Sequence, residues 1–414
     1  MKVRPSLRGL FGRVVAIIVF GTLAQSEICL AETTFDDDVA FLRQHTKIII
    51  LKDTAGGSQV AVAPQWQGRV LTSSAQRDSG RSFGWINREL IASGKLIPHI
   101  NPFGGEDRVW LGPEGGQFSI FFAKGAPFDL DHWYVPAALD TLPFKTMSLA
   151  RNRVSFQARF SVTNYSGTVF DVKLRRKVRI LAPRSAWKAL GQAPRPGVSL
   201  VAYESRNTLA NSGKAPWKKE TGLLSVWILG MFNASPATTI VVPIKRGPET
   251  ELGARVTSNY FGTVPQERFN MTESSVFLRG DANFRSKIGV NPRRSLGKLG
   301  SYDADHRVLT IVQFNQPAGV TDYVNSQWKL QDNPYEGDIE NSYNDGPATP
   351  GAKPLGPFYE MESSSPALAL KPGGSLEHTH RTFHLIGSQA ALDDVARTVL
   401  GVSLAQITSA LPPP

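Results

Sequence analysis

From Lys47 onward the chain alternates apolar and polar residues, or runs through short apolar stretches. Gly, Pro, Asn or Asp closes most of them. This period-two pattern with frequent turn residues predicts β-strands, not helices, for more than 300 residues. Lys47–Lys52, Val60–Ala63 and Arg69–Ser74 read as a meander. Ser155–Val162 and Val169–Leu181 form a longer pair joined through Asn164-Tyr165-Ser166-Gly167. Leu200–Ala210, Leu223–Phe232 and Thr238–Ile244 follow, then Ser275–Arg279, Val308–Phe314, Gln327–Leu330, Phe358–Glu362 and Leu376–Leu385. Helical periodicity appears only at the ends. Thr34 can cap Phe35–Gln44, whose Asp36, Asp37 and Asp38 suit a helix N-terminus. Ser388 can cap Gln389–Leu400, where Leu392, Val395, Ala396 and Val399 form one stripe and Gly401 stops it. No βαβ alternation, heptad or fixed-period repeat is present. The reading is therefore all-β, one continuous domain over residues 32–410, and so many strands require two or more sheets stacked face to face. The tail 411–414 is expected to be disordered.

Ahead of this domain, Lys2, Arg4, Arg8 and Arg13 precede the apolar run Val14–Leu23, and Ala31 offers a small residue for cleavage. That pattern predicts an export signal over residues 1–31, too short in its apolar part for a stable membrane span. The expected localisation is periplasmic or secreted. The chain carries a formal +11, and loss of the signal removes four basic residues and one acid, leaving +8. Export argues against nucleic acid as the partner; the excess suits an acidic polysaccharide or simply a solvated basic surface. The single cysteine, Cys29, lies in the signal, so no disulfide is expected in the mature chain.

Four segments carry candidate chemistry. His99–Gly116 gathers glycines, charges and an indole; Glu106, Arg108 and Trp110 suit the hydroxyls and apolar face of a sugar, or an internal ion pair in a structural loop. Gly337–Gly346 holds Tyr343, Asn344 and Asp345, which can contact hydroxyls or make Asx turns. It lacks the ligand spacing of a calcium loop. On a strand, Glu360 and Glu362 share one face about 7 Å apart, an arrangement that raises a carboxyl pKa and serves acid–base chemistry. His378, His380 and His384 also share a face. With no third ligand defined, hydrogen bonding in a pocket is the expected role of His378 and His380, rather than metal binding, and packing that of His384. Asp131-His132-Trp133-Tyr134 supplies the residue types of a lyase base and acid. Nucleotide fingerprints and a Gly-x-Ser-x-Gly elbow are absent, and no cofactor is expected.

In their order, several segments resemble the galactose mutarotase-like superfamily. They are Gly68-Arg69-Val70-Leu71-Thr72-Ser73, Gly104-Gly105-Glu106-Asp107-Arg108-Val109-Trp110, Asn207–Gly213, and Glu362 followed by Pro366 and Leu370-Lys371-Pro372-Gly373-Gly374. The chain looks like an uncharacterised exported bacterial branch of that superfamily. The resemblance implies a large antiparallel β-supersandwich with an open groove on one sheet. It also implies a sugar-directed function in which Glu362 matches the catalytic base of the epimerases. The family's acid His has no counterpart: where it is expected the chain reads Leu223-Leu224-Ser225-Val226-Trp227-Ile228-Leu229-Gly230, and no His occurs between His132 and His306. Carbohydrate binding is the expected function. The alternatives are an epimerase using Glu362 with His378 as replacement acid, a polysaccharide lyase, and a non-catalytic envelope protein. Oligomeric state is left open by the sequence.

Overall fold

The computed structural model describes residues 33–55 and 57–413; the expected export signal lies outside them. In chain order the strands are β1 (Ile49–Lys52), β2 (Gln59–Ala63), β3 (Arg69–Ser74), β4 (Arg108–Gly112), β5 (Lys145–Ala150) and β6 (Arg153–Thr163). Then come β7 (Val169–Ile180), β8 (Ser199–Asn211), β9 (Ser225–Asn233), β10 (Thr238–Pro243), β11 (Phe269–Met271) and β12 (Ser275–Arg279). The last are β13 (Ser286–Val290), β14 (Lys298–Asp303), β15 (Val308–Phe314), β16 (Glu340–Asn344), β17 (Phe358–Ser364) and β18 (Ser375–Ile386). They form a 3-stranded sheet β1-β2-β3, a 10-stranded sheet β11-β12-β10-β14-β15-β18-β8-β7-β6-β5 and a 5-stranded sheet β13-β16-β17-β9-β4. Neighbouring strands pair antiparallel throughout, so the fold is all-β, as the strand pattern predicts.

The inner faces of the two large sheets meet. Phe232, Tyr359, Met361 and Ile288 of the 5-stranded sheet pack against Ile240, Val242, Leu278, Leu299 and Val312 of the 10-stranded one. On the outer face of the 10-stranded sheet, Ala202, Val241, Leu309, Ile311, Phe383 and Leu385 are covered by the helices Pro183–Ala189, Gln389–Leu400 and Leu404–Thr408. The helix Phe35–His45 begins in a capping box between Thr34 and Asp37, and Gly401 ends Gln389–Leu400 at φ 75°.

Four local expectations change. Gln327–Leu330 is not a strand. Arg108–Gly112 and Glu340–Asn344, read as loop from their polarity and glycines, are strands with every residue buried. In Arg108–Gly112 the pleat puts Val109 and Leu111 on one face and Arg108 and Trp110 on the other, whereas Glu340–Asn344 carries polar side chains on both faces. Leu411, placed in the tail, is buried, and the Pro412 carbonyl accepts from Arg279.

The basic triplet Arg175-Arg176-Lys177 is split by the β7 pleat. Arg175 and Lys177 point out, whereas Arg176 points in and is 1% exposed. Its guanidinium donates to Asp107 Oδ1 at 2.7 Å, the Gly68 and Asp107 carbonyls at 3.0 Å each, and Asn207 Oδ1 at 2.8 Å. Arg176→Ala leaves Asp107 as a buried unpaired charge and should cost about 3–5 kcal/mol in denaturant unfolding. A variant as stable as the parent would show that this pair does not tie β7 to β4.

Glu340 gives a pH signature. Burial pushes its carboxyl up to about 8, with the Ser295 side chain opposing. The native state therefore binds a proton that the unfolded chain has released, and stability contributed by this group falls as pH rises from about 4.5 to about 8. Glu340→Gln should be more stable relative to the parent at pH 8.5 than at pH 5, by a few kcal/mol at most. Equal differences at the two pH values would refute this.

Candidate functional site

The face of the 5-stranded sheet turned away from the core borders a cavity of about 400 Å3. Strand pleating decides which side chains reach it. On β17, Phe358, Glu360 and Glu362 point to the cavity side, and Tyr359, Met361 and Ser363 to the core. The ladder registers then set rows across the sheet. Met231, Glu360, Tyr343 and Lys287 are paired in one row, Arg108, Leu229, Glu362 and Asn341 in the next, and Trp110 faces Trp227 in a third.

Two ion pairs cross between the first two rows. Arg108 Nη2 donates to Glu360 Oε1 at 2.6 Å, and Lys287 Nζ donates to Glu362 Oε2 at 3.0 Å. Trp227 Nε1 donates to the same Glu362 oxygen at 2.8 Å, while Oε1 is buried without a hydrogen-bond partner among the described residues. Each cation also lies over an indole: Arg108 is 4.3 Å from the Trp110 ring centre and Lys287 is 4.7 Å from that of Trp227. Burial raises the Glu360 carboxyl above its ordinary value; Arg108 opposes the rise and Glu362 adds to it. Burial likewise raises Glu114, at the cavity wall. Burial disfavours the Lys287 ammonium, yet Glu362, Glu114 and Glu360 hold its pKa above the usual lysine value.

Around these charges the wall is aromatic. Trp133 stacks on Trp328 with ring centres 5.8 Å apart, Trp110 meets Trp227 edge-on at 5.6 Å, and the Arg285 guanidinium lies 3.8 Å from the Phe261 ring centre. Tyr343 OH donates to Asp345 Oδ1 at 2.6 Å, and the Gly356 N–H donates to the other oxygen at 2.8 Å. Flat apolar surface beside a few fixed donors and acceptors can take a small polyhydroxylated ring.

Of the residues singled out in the sequence, Arg108, Trp110, Tyr343, Asp345 and Glu360 line this cavity. Glu362 sits behind them at 0% exposure, reached through Lys287 and Trp227. Four others lie elsewhere. Glu106 points the opposite way from Arg108, accepting from Ser73 Oγ at 3.0 and 2.9 Å with the His384 ring nitrogen at 3.0 Å. Asn344 is spent on backbone, accepting from the Ala282 N–H and donating to the Phe284 carbonyl at 2.9 Å each. His378 and His380 meet Ser363 Oγ at 2.8 Å on the inter-sheet side of β17, where burial pushes their pKa values down to about 3 and about 4. They are neutral and across the sheet from the cavity, so the placement gives neither a sugar contact. His132 pairs with Asp129, and Tyr134 is exposed and stacked on His99. Gly104 and Gly105 also serve packing: at φ 93° and 112°, an added Cβ would meet the Trp85 carbonyl at 2.1 Å and the Val70 carbonyl at 2.7 Å. Their tight turn steers Glu106 inward and Arg108 outward.

Sequence reading missed Lys287, Arg285, Phe261 and Trp328. A cation in the apolar run Lys287-Ile288-Gly289-Val290 was the available signal for the first; the others sit in irregular segments with no period to read. Among the described residues no cluster of three His, Cys, Asp or Glu has metal-binding geometry.

The sequence matches a family of unknown function (DUF6786) over residues 33–411, and the chain belongs to that family. No curated protein matches it. In fold it is similar to three solved structures of the galactose mutarotase and aldose epimerase kind. A putative aldose 1-epimerase from Escherichia coli K12 is 13% identical, with TM-score 0.48, and the match covers 83% of this chain and 99% of that one. A galactose mutarotase-like protein from Lactobacillus casei is 11% identical, with TM-score 0.46, covering 82% and 100%. An aldose epimerase homologue from C. elegans is 10% identical, with TM-score 0.44, covering 83% and 99%.

Lys287→Met strands the Glu362 carboxylate in a dry site with only the Trp227 N–H, and should destabilise the protein by about 3–5 kcal/mol. Glu362→Gln should cost less. The double variant should be more stable than Lys287→Met alone, because the stranded charge is gone. Denaturant midpoints for the three variants measure this, and a double variant less stable than Lys287→Met would reject the pairing.

Proposed function

We propose that this protein is exported and binds a carbohydrate, as a free sugar or a residue of a polysaccharide, in the cavity beside Arg108 and Glu360. One observation carries the reading: a buried, charge-paired Arg–Glu couple set in a wall of indole and phenyl rings, open to solvent on one side of a rigid sheet. The Arg108–Glu360 pair supplies a donor and an acceptor for neighbouring hydroxyls, and Trp110, Trp133 and Trp328 border the cavity with apolar ring surface for the C–H side of a pyranose. The resemblance of the motif order to the galactose mutarotase-like superfamily points the same way. Export is supported by the basic start, apolar run and small-residue site of the leader sequence. A purely structural envelope role suits a filled or uniformly apolar groove, and this cavity is neither.

A second reading, sugar catalysis, is favoured by Glu360. It lines the cavity with a raised carboxyl pKa, as a general acid or base needs. In this version Glu362 acts behind it, and Glu360 or Glu114 takes the place intended for His378. Mutarotation of a bound aldose that is unchanged in Glu360→Gln would dismiss it.

Calorimetric titration across a panel of neutral and acidic sugars should find saturable binding. Trp110→Ala should weaken it by roughly tenfold or more, the loss of about 1.4 kcal/mol. Trp110→Phe, which keeps a ring in the wall, should retain most affinity, and thermal melting of both variants separates folding from binding. No heat with any sugar in the panel would overturn the proposal.

A further inference from the structure

The outer face of the 10-stranded sheet has two halves. One is apolar and roofed by helices. The other, on β5, β6, β7, β8 and β18, is bare and basic. Along β7, Lys173, Arg175, Lys177 and Arg179 alternate with buried residues and all point outward. They form a straight file of four cations spanning about 20 Å, at the usual rise of the strand. Register extends the file sideways. Arg179 is paired with Arg153, Lys173 with Arg159, and Lys177 with Arg206. Lys145 joins from β5 opposite Gln157, and Arg381 from β18 opposite Glu204.

These nine cations face three acids. Glu204 is 2% exposed and is consumed by Arg179, Arg206 and Arg381. Asp171 accepts from Ser161, and Glu377 sits 3.8 Å from Arg206. Lys173, Arg175, Lys177, Arg153 and Arg159 therefore form no ion pair among the described residues. Like charges opposite one another destabilise a sheet, and nothing in the fold requires them at solvent-facing positions. A regular excess of this kind is a surface complementary to a polyanion.

The neighbours of the cations narrow the partner. Ser155, Gln157, Thr208 and Thr379 are interleaved with them, offering hydroxyl and amide groups. No aromatic side chain points outward from this part of β6, β7, β8 or β18, so there is no platform on which bases could stack. The face is a broad sheet surface rather than a helix or two-stranded ribbon fitted to a duplex groove. We infer that this face is a second, extended binding surface for a linear acidic polysaccharide, its carboxylates lying along the β7 file. Arginine matches carboxylate with two parallel N–H donors. The surface is separate from the cavity, which lies on the far face of the other large sheet, and does not depend on the sugar-binding proposal.

The test uses the signal-free chain with fluorescently labelled polyguluronate, a neutral glucan, duplex DNA and phosphatidylglycerol vesicles. Polyguluronate should bind saturably and more tightly than the other three. The Arg175→Gln/Lys177→Gln pair should weaken it at least tenfold and flatten the dependence of log affinity on log salt by about two, one for each cation removed. Both sites are exposed and lie among like charges, so thermal melting should be unchanged or slightly raised. The Arg175→Gln/Lys177→Gln pair should leave the binding of small sugars unchanged, which separates failure of this face from failure of the cavity. Absence of polyguluronate binding, affinity indifferent to the double variant, or equal or tighter binding of DNA or vesicles would each overturn the inference.

Discussion

Two carboxylates on one face of the middle strand of a sheet, both nearly out of water, are tolerable only if each meets a cation. Glu360 and Glu362 stand in this position, and the two edge strands of their sheet answer them. Arg108 reaches in from β4 across β9, and Lys287 reaches in from β13 across β16. Every strand of the sheet is thereby fixed in register, because a one-residue slip of β4 or β13 would turn its cation into the core and abandon a charge. The wall of the cavity, including the indoles that carry the two cations, follows from that arrangement.

The pairs do more than hold the sheet. Arg108, Glu360 and Lys287 border the cavity, whereas Glu362 lies behind them at 0% exposure, with one of its oxygens left without a partner among the described residues. A polar layer under the contact surface keeps it rigid and lets a ligand exchange hydrogen bonds with Glu360 while the charge beneath stays compensated. Burial raises Glu360, and Arg108 limits the rise, so the group answers to whatever a ligand does to that arginine.

How much of this was legible in the sequence follows from the pleat. Val169–Ile180, with one wet and one dry face, shows clean alternation, and its pattern marks both ends to within a residue. Glu340–Asn344 is buried on both faces yet carries polar side chains on each, so its sequence looks like a turn. Glu360 and Glu362 were paired correctly from period two alone. Period two also put His378 and His380 on a common face, but only tertiary structure decides that this face meets Ser363 inside the sandwich. Adjacent residues were grouped where the backbone separates them: Glu106 and Arg108 flank Asp107 in one segment, yet the Gly104-Gly105 turn sends the first to His384 and the second to Glu360.

The same separation explains the basic triplet of β7 and joins the two halves of the molecule. Arg176 points inward and is spent on Asp107, the residue immediately before Arg108 and the start of β4. Arg175 and Lys177, its immediate neighbours, are exposed and form no ion pair among the described residues. One strand thus devotes a cation to holding β7 against the segment leading into β4, and its neighbours to solvent. Removing the outward cations leaves the inward one in place, and with it the geometry that aims Arg108 at Glu360. The basic face and the cavity can therefore vary independently in charge while sharing one framework, which a sandwich permits because opposite faces of its strands answer to different surroundings.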